Sequence, residues 1–216
     1  MSDARPKLVV FDEALIEARD YWLEKLGRLS EPASIKLDYP RPDIYQHEKA
    51  AVDIPLGTET CRKLIEITGG GDFLLLTTLM AALKICLYKY TSESVIVVGT
   101  PVPADRAGSA QQNVLPIVDE LDGRKTFRQL LIEMRQTLLE AYARPRYPFD
   151  RLLDDLGRGK ISNRCPLFQI ALELTNIHCR LPELKNDLTF TFTKESLITG
   201  RIEFNKSLFK VTTVER

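Results

Sequence analysis

Two histidines, His47 and His178, are the only side chains in this 216-residue sequence whose ordinary pKa suits them to move protons at neutral pH. His47 stands between Gln46 and Glu48 in a segment without periodicity, and His178 falls in Asn176-Ile177-His178-Cys179 after an apolar run. A general base needs a nucleophile within hydrogen-bond reach and a group to orient its ring. The sequence supplies neither around either residue, so both are expected to be surface or hydrogen-bonded structural histidines. His178 beside Cys179 suggests a metal pair, but adjacent strand residues point to opposite faces and no further ligand follows at metal-site spacing. The four cysteines, Cys61, Cys86, Cys165 and Cys179, form no Cys-x-x-Cys pair and are too scattered for a disulfide framework. They read as interior or idle thiols.

Gly69-Gly70-Gly71-Asp72 has the look of a phosphate cradle at a helix start. It lacks the Gly-Lys-Ser/Thr ending of a P-loop, and Asp72 would repel phosphate, so a turn with Asp72 as N-cap accounts for it better. Ser207-Leu208-Phe209-Lys210 fits Ser-x-x-Lys, a pattern that chance supplies freely, and the companion motifs of the serine enzymes that use it are missing. Arg144, Arg146, Arg151, Arg158, Lys160 and Arg164 form a basic cluster partly offset by Asp150, Asp154 and Asp155. That cluster is a solvated face or a docking face for a partner or a phosphate-bearing carrier arm.

The elements that must position these residues follow from periodicity. Phe11 to Leu29 places Leu15, Ala18, Trp22, Leu26 and Leu29 on one helical face. Residues 30 to 47, with Pro32, Pro40 and Pro42, form an extended connector, and this divides the chain into an N-terminal helix with connector (1–47) and a main unit (48–216). Glu48 to Leu56 reads as a strand, Thr58 to Thr68 as a helix, and Phe73 to Tyr90 as a helix apolar on nearly every side, which must be buried. The β-branched run from Ser94 to Gly99 reads as a strand covered on both faces. After a Pro- and Gly-rich loop from Thr100 to Gln112, Val114 to Leu121 is a further strand.

Thr126 and Gln129 form a capping-box pattern that opens a helix with Phe127, Leu130, Leu131, Met134, Leu138 and Ala141 in one stripe, ending near Arg144. A short helix from Phe149 to Leu156 closes at Gly157, and Leu167 to Leu174 is a hydrophobic strand. Leu188 to Thr193 and Thr199 to Asn205 alternate with period two and predict a hairpin. Strands and helices interleave, so the fold class is α/β, a two-layer mixed-sheet sandwich.

Composition narrows the functions. Thirty Lys+Arg balance thirty Asp+Glu, leaving no global field to attract nucleic acid or anionic lipid. With 44% hydrophobic and 28% charged residues the chain has a globular composition. No uninterrupted apolar stretch of membrane-spanning length and no apolar N-terminal signal segment is present, so a cytoplasmic protein without nucleic-acid or membrane partners is expected.

An ordered set of segments resembles the second half of a nonribosomal peptide synthetase condensation domain. Tyr21-Trp22-Leu23-Glu24-Lys25-Leu26 comes first, then Val97-Val98-Gly99-Thr100-Pro101-Val102. Gln112-Asn113-Val114-Leu115-Pro116 is similar to that family's Phe-Val-Asn-Thr segment, with only Asn113 clearly kept. Phe127-Arg128-Gln129-Leu130-Leu131 leads through Glu140-Ala141-Tyr142 to Tyr147-Pro148-Phe149-Asp150, which resembles the family's Pro-Phe-Glu motif with Asp in place of Glu. Asn163-Arg164-Cys165-Pro166-Leu167-Phe168-Gln169 resembles its Ser-Arg-Asn-Pro-Leu-Phe-Gln stretch. The ordered set runs from about Phe11 to the end and is far more specific than any one member.

The resemblance implies one lobe of a two-lobed fold like chloramphenicol acetyltransferase. In that family an aminoacyl donor and an amine acceptor, each on the phosphopantetheine arm of a carrier protein, meet between the lobes to form a peptide bond. The family's reaction centre, His-His-x-x-x-Asp-Gly, lies at the end of the first lobe, and this sequence contains no His-His pair. The resemblance therefore assigns no catalytic residue, no metal and no cofactor to this chain, with phosphopantetheine confined to partner carrier proteins. It assigns structural roles to Asn113, Pro148, Phe149, Asp150, Arg164, Pro166 and Phe168. Arg164 matches the arginine that pairs with the aspartate of the missing motif, so it should face water, an internal acid such as Asp150, or another protein. The expected partners are an adenylation domain, other synthetase domains, or a separate first lobe. The expected role is a catalytically silent interaction module, the alternative being half of a split condensation enzyme.

Overall fold

Leu188, Phe190 and Phe192 alternate with Thr189, Thr191 and Thr193, and this period-two pattern sets one strand of a six-stranded sheet with an apolar and a polar face. A computed structural model of the chain describes residues 12–29, 35–110, 112–159 and 161–216. The elements in chain order are α1 (Glu13–Leu26), β1 (Lys49–Ile54), α2 (Thr58–Ile67), α3 (Asp72–Thr91), β2 (Val95–Pro101), β3 (Val114–Glu120), α4 (Phe127–Tyr142), α5 (Phe149–Asp155), β4 (Ile170–Leu174), β5 (Leu188–Lys194), β6 (Ile198–Asn205) and α6 (Val211–Val214). The strands lie in the order β1-β6-β5-β4-β2-β3. β4 runs parallel to both neighbours, and every other pairing is antiparallel, so the sheet is mixed as the interleaved pattern predicts. The β2 to β4 junction is narrow, with Gly99 opposite Ala171 as its one register pair.

Register explains the two faces. Phe190 lies opposite Ile202, and Leu188 opposite Phe204, whereas Thr191 lies opposite Arg201 and Thr189 opposite Glu203. Helix α2 covers the apolar face, where the Cys61 thiol meets the carbonyl of Ile198 at 3.3 Å. Helices α3 and α4 pack together, α3 over β2 and β4 and α4 over β3. α3 is long and apolar enough to cross a bilayer by length and composition, but Leu75, Leu76, Met80, Ala81 and Leu87 are core residues of this fold. Trp22 and Leu26 place α1 in the same core, and α1 packs on α5.

Three local expectations are corrected. Gly71, not Asp72, is the N-cap of α3, and Asp72 opens the helix with its carboxylate paired to Lys194 at the end of β5. The preceding turn needs glycine because Gly69 and Gly70 have φ of +56° and +70°. Phe127, placed in the apolar stripe by its spacing, is 45% exposed as the first residue of α4, and the buried face of that helix begins at Leu130. The strand expected from Leu167 begins at Ile170, because the carbonyl of Gln169 is used by the N–H groups of Asp187 and Leu188, which close the entrance to β5.

One buried charge sits inside the apolar helix. Lys84 is fully buried and donates to the Ile117 carbonyl at 2.7 Å and to Asp119, whose other carboxylate oxygen accepts from the Thr137 hydroxyl at 2.7 Å. Burial drives the Lys84 ammonium below its usual pKa, and Asp119 opposes that shift.

Candidate functional site

Asn113, just ahead of β3, is the centre of the constellation expected from sequence. Its side-chain NH2 donates to the carbonyls of Pro145 and Tyr147 at 2.8 and 2.7 Å, and its oxygen accepts from the Phe149 N–H at 2.9 Å. These bonds fix the loop that opens α5, where Pro148 is the N-cap with φ of −64° and has no N–H to leave unsatisfied. Phe149 then turns inward against Phe168, with ring centroids 5.6 Å apart. Phe168 in turn lies directly on Gly99, where an added Cβ would come within 2.3 Å of its ring. Asn113, Pro148, Phe149 and Asp150 thus share one open groove of about 430 Å³, closed on the far side by Pro182 and Glu183. Asp150 is exposed at its rim.

Arg164 and Pro166 lie away from that groove. Pro166 is buried, and Arg164 is half-buried with its positive charge acting on Asp187, an internal acid. Asp187 is almost fully buried and holds Arg41 in a two-pronged ion pair, Nη1 to Oδ1 at 2.8 Å and Nη2 to Oδ2 at 2.5 Å. Burial pushes the Asp187 pKa up, while Arg41 and then Arg164 pull it down. Arg41 belongs to the proline-rich connector, which is docked throughout its second part. The N–H groups of Asp38 and Tyr39 both donate to the Leu208 carbonyl, and the Tyr45 hydroxyl donates to the Asn186 carbonyl at 3.1 Å.

Of the histidines, His47 is exposed beside Glu183, with Nδ1 3.1 Å from a carboxylate oxygen. His178 is buried. Its Nδ1 accepts from the Leu174 N–H at 2.9 Å, so the ring proton of the neutral form is on Nε2. Nε2 lies 2.6 Å from the Tyr142 hydroxyl and 3.3 Å from Thr100 Oγ1, and Thr100 donates to the Leu172 carbonyl at 2.9 Å. No carboxylate is among these partners, and burial lowers the His178 pKa to about 3. An imidazole with one nitrogen bonded to backbone and the other turned toward a tyrosine has no lone pair to present to a substrate. Its geometry is that of a structural histidine, and it ties β4 to β2 and α4.

Sequence reasoning missed the partners rather than the positions. Thr100 and Tyr142 lie within the segments that carry the resemblance, but nothing local marks them as meeting His178. Arg41 and Asp187, 146 residues apart, carried no signal at all. Among the described residues no group of His, Cys, Asp and Glu is placed to hold a metal ion.

Comparison with known proteins fits this arrangement. One of the linear gramicidin synthase proteins of Brevibacillus parabrevis is 32% identical over 232 residues, a match covering 94% of this chain and 4% of that protein. The phosphinothricin tripeptide synthetase PhsC of Streptomyces viridochromogenes is 31% identical, covering 95% of this chain and 21% of the relative. This chain therefore spans only a small part of these curated relatives. Among solved structures, a four-domain nonribosomal peptide synthetase bound to AMP and glycine superposes with a TM-score of 0.81 at 19% identity, over 95% of this chain and 18% of that one. The X-domain from teicoplanin biosynthesis gives 0.78 at 18% identity, over 97% of this chain and 52% of that one. The family model for the condensation domain matches residues 11–216, and the chain belongs to the condensation-domain family of nonribosomal peptide synthetases.

Proposed function

We propose that this chain is the carboxy-terminal lobe of a condensation domain, silent in catalysis by itself, and that it serves as a packing and docking module beside an adenylation domain or another synthetase part. The observation that carries the reading is the state of His178. The one buried imidazole is neutral, bonded at both nitrogens and without a steering carboxylate, while the motif residues Asn113, Pro148, Phe149 and Phe168 brace a loop rather than present reactive atoms. Any phosphopantetheine belongs to carrier proteins that meet the assembled enzyme. The X-domain, solved as a complex with OxyB, offers a precedent of similar fold for a domain of this kind in complex with another protein. The test is an acyl-transfer assay with aminoacyl-loaded donor and acceptor carrier proteins. No peptide bond should form with this chain alone, and product formation that survives His178→Gln and His47→Gln would mean that another group on this chain performs the reaction.

A second reading, half of a split condensing enzyme, is supported by Arg164. Its charge acts on Asp187, which Arg41 already holds through both oxygens, so Arg164 could turn to an aspartate on an incoming lobe while Asp187 keeps a counter-ion. Adding a separately expressed first lobe with an intact His-His-x-x-x-Asp-Gly segment should then restore peptide-bond formation, and Arg164→Gln should abolish that rescue.

A further inference from the structure

The two outer strands of the sheet differ in how they are closed. β3 carries Pro116 in mid-strand, opposite Gly99, and Val114 to Ile117 are buried, so that edge cannot accept another strand. β1 has neither protection. Lys206 N–H donates to the Glu48 carbonyl, which sets the alternation of the antiparallel ladder in which Glu48 lies opposite Lys206 and Lys49 opposite Asn205. Ala50, Val52 and Ile54 then direct their backbone groups inward to β6, and Lys49, Ala51 and Asp53 direct theirs outward. Helix α6 approaches β1, but among the described residues no hydrogen bond from another segment reaches the backbone of these three.

We infer that β1 is a self-recognition edge, on which a second copy of this chain adds its own β1 in antiparallel orientation to make one continuous sheet across a two-fold axis. Lys49, Ala51 and Asp53 are spaced symmetrically about Ala51. In the register that pairs every outward-facing backbone group, Ala51 meets its own copy at the axis, and Lys49 of each protomer faces Asp53 of the other. The charges are self-complementary in that register, with about six new backbone hydrogen bonds formed between the strands. Lys49 and Asp53 are both exposed, and they project on the polar face with Thr189, Thr191, Arg201 and Glu203. Lys49 already meets Glu203 of its own chain at 2.7 Å, which holds its ammonium on that face. The small side chain of Ala51 on the axis leaves room for the close approach. A shift by two residues would remove the ion pairs and leave an outward backbone group unpaired at each end.

Sedimentation velocity of the full chain across roughly a hundredfold range of concentration should show a reversible monomer–dimer equilibrium, the weak association expected of a small interface. Asp53→Lys and Lys49→Asp should each weaken self-association by roughly thirtyfold, because each places like charges opposite one another twice. Mixing the two variants should restore the dimer as a heterodimer, since both positions of one strand are then positive and both of the other negative, and each cross-strand pair joins opposite charges. Ala51→Pro removes an N–H that no intrachain bond uses, and should abolish dimerisation while leaving the thermal midpoint of the monomer close to that of the parent. A parent chain monomeric throughout the range, a dimer indifferent to Ala51→Pro, or a mixture of the charge variants no more associated than either alone would each overturn the inference.

Discussion

Asp187 and Arg41 form a two-pronged ion pair in which the acid is almost completely buried and the base arrives from a connector 146 residues earlier. The pair fastens the proline-rich segment across the entrance to β5, close to Asn163, whose amide donates to the Pro42 carbonyl at 2.9 Å. Removing the guanidinium would leave the buried carboxylate without its two-pronged partner. Arg41→Gln should cost about 3 kcal/mol at neutral pH. Burial already holds the folded-state pKa of Asp187 above its unfolded value, and loss of Arg41 raises it further. The folded variant therefore takes up a proton more readily than the unfolded chain, and the difference from the parent should shrink as pH falls through the raised pKa. Urea unfolding at neutral and mildly acidic pH measures this.

Asn113→Ala deletes a side chain that satisfies three backbone groups, and should destabilise the protein by about 3 kcal/mol. Asn113→Asp should be worse despite its shape, because a carboxylate would face the carbonyls of Pro145 and Tyr147 with no proton to donate. Equilibrium unfolding of the two variants orders them.

His178 contributes a pH dependence of the opposite sense. Its folded pKa, near 3, lies far below the unfolded value of 6.5, so below pH 6.5 the unfolded chain binds a proton that the native state refuses. Stability should fall as pH drops from about 6.5 toward 3, by up to about 1.4 kcal/mol per pH unit from this group. His178→Gln should be less stable at neutral pH yet show a flatter profile across that window, which denaturation at a series of pH values would reveal.

Lys84 and Asp119 form the buried charge pair of the α3, β3 and α4 junction. Lys84→Met and Asp119→Leu should each cost about 3 to 5 kcal/mol, since each leaves one charge uncompensated, while the double variant should lie within about 1 kcal/mol of the parent. A double-mutant cycle measured by guanidinium unfolding gives the coupling directly.

Features that depend on near neighbours were legible in the sequence. The Thr126 and Gln129 capping box is present with both of its bonds, and the hairpin of β5 and β6 pairs as its alternation predicts. The covered character of β2 is likewise visible in Val95-Ile96-Val97-Val98, of which only Val95 is exposed. Asp72 failed because a short acidic side chain after glycines can cap its own helix or pair with a distant lysine, and only the fold brings Lys194 there. For the same reason nothing in the sequence around Lys84 marks it as half of an ion pair, since Asp119 reaches it only through the fold. The motif residues were located through their ordered resemblance to a family, but their work is done by contacts between residues far apart in the chain, such as Asn113 with Phe149 and Phe168 with Gly99. Spacing along the chain does not encode such contacts.

The narrow seam between β2 and β4 divides the sheet into two ladders of different origin. β2 and β3 close through a connection of a dozen residues, and β5 and β6 through a tight turn, but Gly99 and Ala171 come from segments about seventy residues apart. Closing that loop costs entropy that the single register pair offsets only in part, so the seam depends on contacts beyond the backbone ladder. Thr100, Phe168 and His178, which bridge it with side chains, act as rivets where the backbone ladder is thin.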